Sequence, residues 1–140
     1  MLYAYDATSG RLLRTEDRAT FEEVVTAPLL SVAATQARDQ LIATTDQAQL
    51  VTINPGTGET RKLGGPTAIY LDTAPDGTLA GIAPDGTVRI SSDDGQTWKD
   101  VGSIDGQPAA FTISEQGWYA ATETTVFRST DAGATWTRVL

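Results

Sequence analysis

The sequence predicts an all-β fold made of repeated antiparallel units of four short strands. Short apolar runs alternate with tight-turn signals roughly every ten residues, a spacing typical of all-β domains. An octet also occurs twice, as SSDDGQTW at 91–98 and as STDAGATW at 129–136, and its copies start 38 positions apart (129−91). Self-similarity at a fixed period indicates a repeat architecture, so we expect one structural unit per period.

Four glycines mark turns of the predicted repeat. They are Gly10, Gly58, Gly95 and Gly133, with separations of 48 (58−10), 37 (95−58) and 38 (133−95) residues. Apolar-alternating runs flank each glycine, which indicates a β-hairpin. Short polar side chains that can hydrogen-bond their own backbone stand four positions earlier, namely Asp6, Asn54, Ser91 and Ser129. The long first interval comes from segment 15–28, which is expected to form either a loop with a helical turn or an additional strand at FEEVV.

Further strands are predicted upstream of the last three hairpins. In the third unit PDGT occurs at 75–78 and again at 84–87, and the TLAGIA between these turns is long enough for one strand. The second and fourth units contain matching runs, LLSVAATQ with LIATT and AAFTIS with WYAATE. A four-stranded unit repeated about every 40 residues favours β-propeller blades over a sandwich or barrel. The predicted units are a leading hairpin at 1–15 and blades at about 28–64, 66–104 and 106–140.

Composition and charge exclude several classes of function. The net charge is −8, from 18 acidic and 10 basic residues, and the basic residues are scattered. A nucleic-acid interface needs a basic stripe, so we expect no nucleic-acid partner. The chain has no cysteine and no histidine, which excludes disulfides, thiolate metal sites, zinc hydrolases and serine–histidine triads within it. No apolar run approaches the ~18 residues of a membrane span, and no cofactor is expected.

The two octets resemble the Asp-box, or BNR repeat, of sialidases, sortilin-type receptors and photosystem assembly factors. They fit its pattern at every fixed position: Ser91, Asp93, Gly95, Thr97 and Trp98 in the first copy, and Ser129, Asp131, Gly133, Thr135 and Trp136 in the second. The hairpins at 6–10 and 54–58 lack the tryptophan and resemble turns of quinoprotein-like or YVTN-type propeller repeats. The resemblance implies that the octets lie on the outer edge of a propeller, away from a catalytic face.

Elementary chemistry gives each octet residue a structural role. The Asp carboxylate can accept successive backbone N–H groups and close the turn, the Gly permits a positive φ, and the Trp can wedge between neighbouring sheets. The run Asp93-Asp94-Gly95 also offers the oxygen ligands that calcium prefers. Because the chain lacks the alternating acids and terminal Glu of an EF-hand loop, we expect a structural turn and no metal site.

Four further residues are candidates for contact with a ligand: Trp118, Tyr119, Arg89 and Arg128. Adjacent strand residues face opposite ways, so only one of Trp118 and Tyr119 can point into a given groove, and packing in the blade core is the alternative. A sialidase would need three converging arginines and a Tyr–Glu nucleophile pair. Arg89 and Arg128 stand six (95−89) and five (133−128) positions before their turn glycines and share no register. We therefore assign no catalytic residue.

The blade count indicates a partner. A propeller closes its ring with about 4–8 blades, whereas three units and a hairpin leave apolar faces open to water. We expect the partner to be either the remaining blades of a longer chain, of which this is a C-terminal portion, or a second copy of this chain.

The function that we expect is that of a non-catalytic module that binds or scaffolds a protein or a glycan. The alternative is part of a sialidase-like glycoside hydrolase whose catalytic residues lie mostly outside this chain. The resemblance implies an extracellular or cell-envelope location, although no secretory signal is visible at the start of the sequence.

Overall fold

The computed structural model describes residues 1–37 and 39–140. Its strands form four antiparallel sheets, in each of which a strand pairs with the next one along the chain. Sheet 1 contains β1 (Leu2–Asp6), β2 (Arg11–Thr15) and β3 (Glu22–Thr26); sheet 2 contains β4 (Leu29–Ala34), β5 (Leu41–Thr45), β6 (Leu50–Ile53) and β7 (Thr60–Lys62); sheet 3 contains β8 (Tyr70–Thr73), β9 (Leu79–Ile82), β10 (Thr87–Ser91) and β11 (Lys99–Ser103); sheet 4 contains β12 (Ala110–Ser114), β13 (Gly117–Ala121), β14 (Val126–Ser129) and β15 (Thr137–Arg138). The predicted all-β fold and its propeller-like arrangement are confirmed. Over the described ranges, no helix has the length and apolarity that a membrane crossing requires.

Sheet 1 differs from the predicted leading hairpin. Segment 15–28 supplies a third strand, β3, which pairs with β2 and contains most of the FEEVV run. The last residues of β2, β6, β10 and β14 are all buried, and they follow one another at intervals of 38 residues (53−15, 91−53, 129−91). These residues are Thr15, Ile53, Ser91 and Ser129. The repeat is therefore regular, and the prediction placed its first unit out of phase.

The turn at Gly10 explains the wrong phase. The Gly10 carbonyl accepts a hydrogen bond from Ala27 N (2.9 Å), just as the Gly86 carbonyl accepts one from Ile104 N (3.0 Å). The β1–β2 turn is thus equivalent to the β9–β10 turn, between the second and third strands of a unit. Glycine has a positive φ in both kinds of turn, 72° at Gly10 and 87° at Gly95. Glycine spacing alone could not distinguish them.

Three hydrophobic clusters hold the sheets together, one at each junction between successive sheets. Side chains from both sheets interdigitate there, so sheets 2 and 3 are covered on both faces and sheets 1 and 4 on one face each. The clusters include Leu12, Leu41 and Val51 between sheets 1 and 2, Ile42, Leu50 and Leu79 between sheets 2 and 3, and Ile82, Val88 and Trp118 between sheets 3 and 4.

The first strands of sheets 2, 3 and 4 form an inner row, in which β8 packs against both β4 and β12. Side-chain hydrogen bonds join this row. Ser31 Oγ accepts a hydrogen bond from Leu71 N (2.9 Å), and Asp72 Oδ2 accepts one from Ile113 N (2.8 Å). Each inner strand therefore fixes the position of the next one.

Candidate functional site

The first octet closes the β10–β11 turn with side-chain hydrogen bonds. Asp93 Oδ1 accepts from Ser91 Oγ (2.8 Å) and Thr97 N (2.9 Å), and Asp93 Oδ2 accepts from Thr97 Oγ1 (2.6 Å). Ser91 Oγ in turn accepts from Gly95 N (2.9 Å), and Trp98 Nε1 donates to Gly95 O (3.0 Å). The carboxylate is thus engaged by its own turn.

The second octet repeats these contacts. Asp131 Oδ1 accepts from Ser129 Oγ and from Thr135 N (both 2.8 Å), Gly133 N donates to Ser129 Oγ (2.9 Å), and Trp136 Nε1 donates to Gly133 O (2.9 Å). The Thr135 hydroxyl is the main cause that lowers the pKa of Asp131 to about 2. The Thr97 hydroxyl lowers the pKa of Asp93 to about 2 in the same way. Both carboxylates are held in the charged form.

Each octet turn rests on the preceding sheet. A Cβ placed on Gly95 would lie 2.6 Å from Ile42 Cδ1 of sheet 2, and one on Gly133 would lie 3.2 Å from Val88 Cγ1 of sheet 3. Trp98 and Trp136 pack against the clusters at the same two junctions. The octets therefore contribute to the contact between sheets.

A third turn of the same kind lies between β2 and β3, and the sequence analysis did not predict it. Asp17 Oδ1 accepts from Thr15 Oγ1 (3.1 Å) and Thr20 N (2.8 Å), while Arg18 N donates to Thr15 Oγ1 (2.9 Å). Hydrogen bonds from backbone N–H groups, that of Thr20 first, lower the pKa of Asp17 to about 2. The residues TEDRATF, 15–21, follow the octet with one position fewer, Thr in place of Ser and Phe in place of Trp. A search of the sequence for the octet that allowed one position to be deleted would have found this third turn.

The calcium interpretation of the first octet is not supported by its contacts. Asp93 is engaged as described, and Asp94 Oδ1 accepts a hydrogen bond from the backbone N–H of Gln36, which follows β4 (3.1 Å). Among residues 1–37 and 39–140, no three carboxylates are placed together so that they could hold a metal ion.

Trp118 lies in the core. It is 7% exposed, it packs in the cluster between sheets 3 and 4, and its ring meets Phe111 edge-on at 6.2 Å between centroids. A ligand has no access to this ring in the structure, because the turn of the second octet covers it at Gly133. The sequence left two interpretations of Trp118 open, contact with a ligand and packing in the blade core, and the structure shows packing in the core.

Tyr119 and Arg128 lie together in sheet 4. Their strands pair at these positions, and the Arg128 guanidinium carbon lies 5.8 Å from the centre of the Tyr119 ring. Arg128 Nη2 also donates to the carbonyl of Gln116 (2.7 Å). Arginine stacked on an aromatic face is held by a cation–π attraction, so this pair forms a fixed, partly exposed feature of sheet 4.

Arg89 belongs to sheet 3 and forms an ion pair in place of a contact with an aromatic ring. Its Nε lies 2.7 Å from Asp100 Oδ1 on the paired strand β11. Arg89 and Arg128 are thus each held by groups of their own sheet.

Exposed large apolar side chains are concentrated at the two ends of the row of sheets. Half of them, Met1, Leu2 and Leu30, line one groove between β1 and β4. Among residues 1–37 and 39–140 these side chains belong to Met1 (64% exposed), Leu2 (48%), Phe21 (46%), Leu30 (43%), Val139 (46%) and Leu140 (77%). We call Val139 and Leu140 the terminal patch.

Comparisons with known proteins support the fold. No protein-family model and no curated protein sequence matches the chain. The solved structure described as YCF48 bound to D1 peptide superposes with a TM-score of 0.71 at 12% identity, covering 97% of this chain and 50% of that one. A nidogen/laminin complex gives 0.68 at 12% identity, covering 90% and 53%. PorZ, a surface component of the type-IX secretion system of Porphyromonas gingivalis, gives 0.63 at 15% identity, covering 98% and 19%.

These similar structures are β-propellers, and at such low identity the similarity shows the fold alone. The chain spans about half the length of the YCF48 and nidogen/laminin chains that it matches. The fold on which the octets, the groove and the terminal patch are placed is that of a β-propeller.

Proposed function

We propose that this chain is a non-catalytic β-propeller module of the Asp-box type that binds protein through its two end sheets. The observation that carries the proposal is the position of its exposed large apolar side chains, which, in the part of the chain that the structure describes, lie in or beside sheet 1, in the groove between β1 and β4 and in the terminal patch. Exposed apolar patches mark sites of protein interaction. The partner is other propeller blades, either the remaining blades of a longer chain or those of a second copy of this chain.

The structure favours a protein partner over a glycan. Sugars stack on free aromatic faces, but Trp118 is buried and the Arg128 guanidinium lies over one face of the partly buried Tyr119 ring. Of the similar propellers, one is described as bound to a peptide and one as part of a protein complex. These descriptions support the same type of partner here.

The contacts of the arginines favour a binding role over sialidase-like hydrolysis. Arg89 is neutralised by Asp100 and Arg128 is engaged by Tyr119 and Gln116. Sialidase-like chemistry needs three arginines that converge on one carboxylate, whereas Arg89 lies in sheet 3 and Arg128 in sheet 4. The assignment of the octets to the Asp-box type rests on their hydrogen-bonded turns. Because proteins with Asp-box repeats suggest it, we also propose an extracellular or cell-envelope location.

Light scattering across a protein concentration series tests the proposal. We expect the mass to rise above that of the 14.8 kDa monomer, because association covers the end sheets. The substitution Leu140→Asp should shift this association to at least about tenfold higher concentration, since it places an unpaired charge in the interface. The control variant Thr57→Asp changes an exposed turn residue of sheet 2 and should leave association unchanged.

Two results would contradict the proposal. A chain that stays monomeric and folded at every concentration would show that its end sheets need no partner. Hydrolysis of a fluorogenic sialoside above the buffer rate, abolished by Arg128→Ala, would show that the module is catalytic.

A further inference from the structure

Four Asp-Gly pairs occur in the chain, at 76–77, 85–86, 94–95 and 105–106. In such a pair the backbone nitrogen of the glycine can attack the side-chain carboxyl carbon of the aspartate, because glycine has no side chain to hinder the approach. The four pairs contain the same reactive groups. Whether a given pair reacts therefore depends on how the fold holds its carboxyl group and its glycine N–H.

Three of the four glycine N–H groups are held by turn hydrogen bonds. Each donates to an oxygen three or four positions earlier, Gly77 N to Ala74 O, Gly86 N to Ala83 O and Gly95 N to Ser91 Oγ, all at 2.9 Å. The exception is Gly106, whose N–H donates no hydrogen bond among residues 1–37 and 39–140. Its nitrogen is thus available for reaction.

The carboxyl groups divide in the same way. Three of them accept a backbone N–H, Asp76 from Thr78 (2.9 Å), Asp85 from Thr87 (2.9 Å) and Asp94 from Gln36 (3.1 Å). For Asp76 and Asp85 this hydrogen bond is the main cause of a lowered pKa, which favours the charged form that a nucleophile attacks poorly. The carboxyl group of Asp105, an exposed residue, accepts no hydrogen bond within the part of the chain that the structure describes.

Packing separates the four pairs further. Ring closure requires the glycine backbone to turn, and Gly86 and Gly95 are buried. A Cβ on Gly86 would lie 2.3 Å from Ile104 O, so neighbouring backbone leaves no room for such movement. Both residues of the 105–106 pair are exposed, and this pair can turn without displacing the core.

We propose that Asp105 is a site of spontaneous isomerisation to isoaspartate in the folded chain. Gly106 N bonds to Asp105 Cγ, and the carboxyl hydroxyl leaves with the Gly106 amide proton as water, which gives a succinimide. Water then adds to the main-chain carbonyl carbon of Asp105, whose bond to Gly106 N breaks as that nitrogen regains a proton. The water that was lost is recovered and no electron is transferred. The main chain then runs through Cβ and Cγ of Asp105.

The modified residue lies in the connection between sheets 3 and 4. Ile104 N donates to Gly86 O (3.0 Å) at the start of this connection, and Ala109 N donates to Ala121 O (2.7 Å) at its end. Isoaspartate adds one backbone carbon between these two fixed points. The modification therefore acts on the junction of two sheets, and it does not depend on the proposed binding function.

Incubation of the folded chain at neutral pH for several weeks, followed by trypsin digestion, tests the proposal. Trypsin separates the pairs into peptides 63–89, 90–99 and 100–128, and electron-transfer fragmentation identifies isoaspartate at each position. We expect isoaspartate to form at Asp105 at least about tenfold faster than at the other three pairs, because reaction at a held pair must wait for local opening of the fold.

Two controls separate the effect of the fold from that of the local sequence. In urea the four rates should agree within about threefold, because unfolding removes the hydrogen bonds and the packing of every pair. The variant Asp105→Glu keeps the charge at this exposed position. It should yield no isoaspartate in peptide 100–128, since glutamate cannot form a succinimide.

Four results would overturn the inference. Equal rates at the four pairs in the folded chain would show that turn hydrogen bonds do not control the reaction. Absence of the product from the folded chain, with reaction in urea, would show that the 105–106 backbone is held away from ring closure. A preference for Asp105 of the same size in urea would place the cause in the local sequence. Isoaspartate in peptide 100–128 of the Asp105→Glu variant would assign the reaction to Asp100.

Discussion

Ser129 connects the second octet to the core. Its side chain is 1% exposed, its hydroxyl accepts from the buried Gly133 N–H, and it donates to Asp131. Ser91 holds the corresponding position in the first octet, and Thr15 does so in the turn that follows β2. At the scale of single residues, three of these four equivalent turns thus depend on one buried hydroxyl each, while Ile53 holds the corresponding position in sheet 2.

Replacing Ser129 by Ala is expected to lower the free energy of unfolding by about 1–3 kcal/mol, because the buried Gly133 N–H loses its acceptor. Urea denaturation followed by tryptophan fluorescence measures this change. Ser103→Ala serves as the control, since Ser103 is exposed at the end of β11 and surface substitutions of this kind cost within about 0.5 kcal/mol. Equal losses in the two variants would mean that the Ser129 hydroxyl does not stabilise the turn.

Acid is expected to destabilise the fold through the aspartates of the three turns. Asp17, Asp93 and Asp131 have a pKa of about 2 in the folded chain, against an ordinary value of 3.8. A lowered folded pKa gives stability that is fully present above about pH 4 and is lost as the pH falls towards about 2. The melting temperature should therefore drop across this interval.

The double variant Asp93→Asn with Asp131→Asn tests the source of that drop. It should start with a lower melting temperature at neutral pH and lose less of it in acid than the parent chain. Asp105→Asn is the matched control, because among the described residues no donor bonds the Asp105 carboxylate. An acid transition of the same size in the double variant would place its cause elsewhere in the chain.

At the scale of elements, the close approach of one turn to the neighbouring sheet fixes how two sheets pack. Gly102 of β11 lies directly beneath the second octet, and a Cβ there would come within 2.1 Å of the Gly133 carbonyl oxygen. A backbone atom cannot move aside as a flexible side chain can. The small residue in β11 is thus required by sheet 4, which follows it in the chain.

Gly102→Ala is expected to destabilise the fold by about 1–3 kcal/mol, because the added methyl group forces the two sheets apart. Chemical denaturation compared with the parent chain gives the value. Gly64→Ala is the control, since a Cβ at Gly64 would meet nothing within 4 Å. If the Gly102 variant were as stable as the Gly64 variant, sheets 3 and 4 would not be in the contact described.

At the scale of the whole molecule, self-association depends on the net charge of the chain and on its two uncovered end sheets. Each chain has a net charge of −8, so two copies that associate through apolar end sheets also repel each other. Raising the ionic strength from about 0.01 M to about 0.15 M shortens the screening length from about 30 Å to about 8 Å. Self-association measured by light scattering should therefore strengthen with salt. Weakening with salt would indicate attraction between opposite charges in place of apolar contact.

Local patterns predicted most of the strands and the hairpin turns, but they left segment 15–28 open between a loop and a strand. The alternation of apolar residues and the short polar residues of the turns act within a few positions of the chain, so the sequence by itself determined the all-β fold and the repeat. It also placed the Asp, Gly and Trp of both octets in turns whose hydrogen bonds the structure shows.

Only the tertiary structure decided the phase of the first unit, the buried position of Trp118 and the existence of the groove. Gly10 and Gly95 occupy different turns with the same backbone requirement, and strand pairing alone distinguishes them. Trp118 and Tyr119 are neighbours in sequence, and which of them is buried depends on the sheet packed against β13. The groove is formed by β1 and β4, which belong to different sheets, so its shape is a property of how those sheets pack and not of any local pattern.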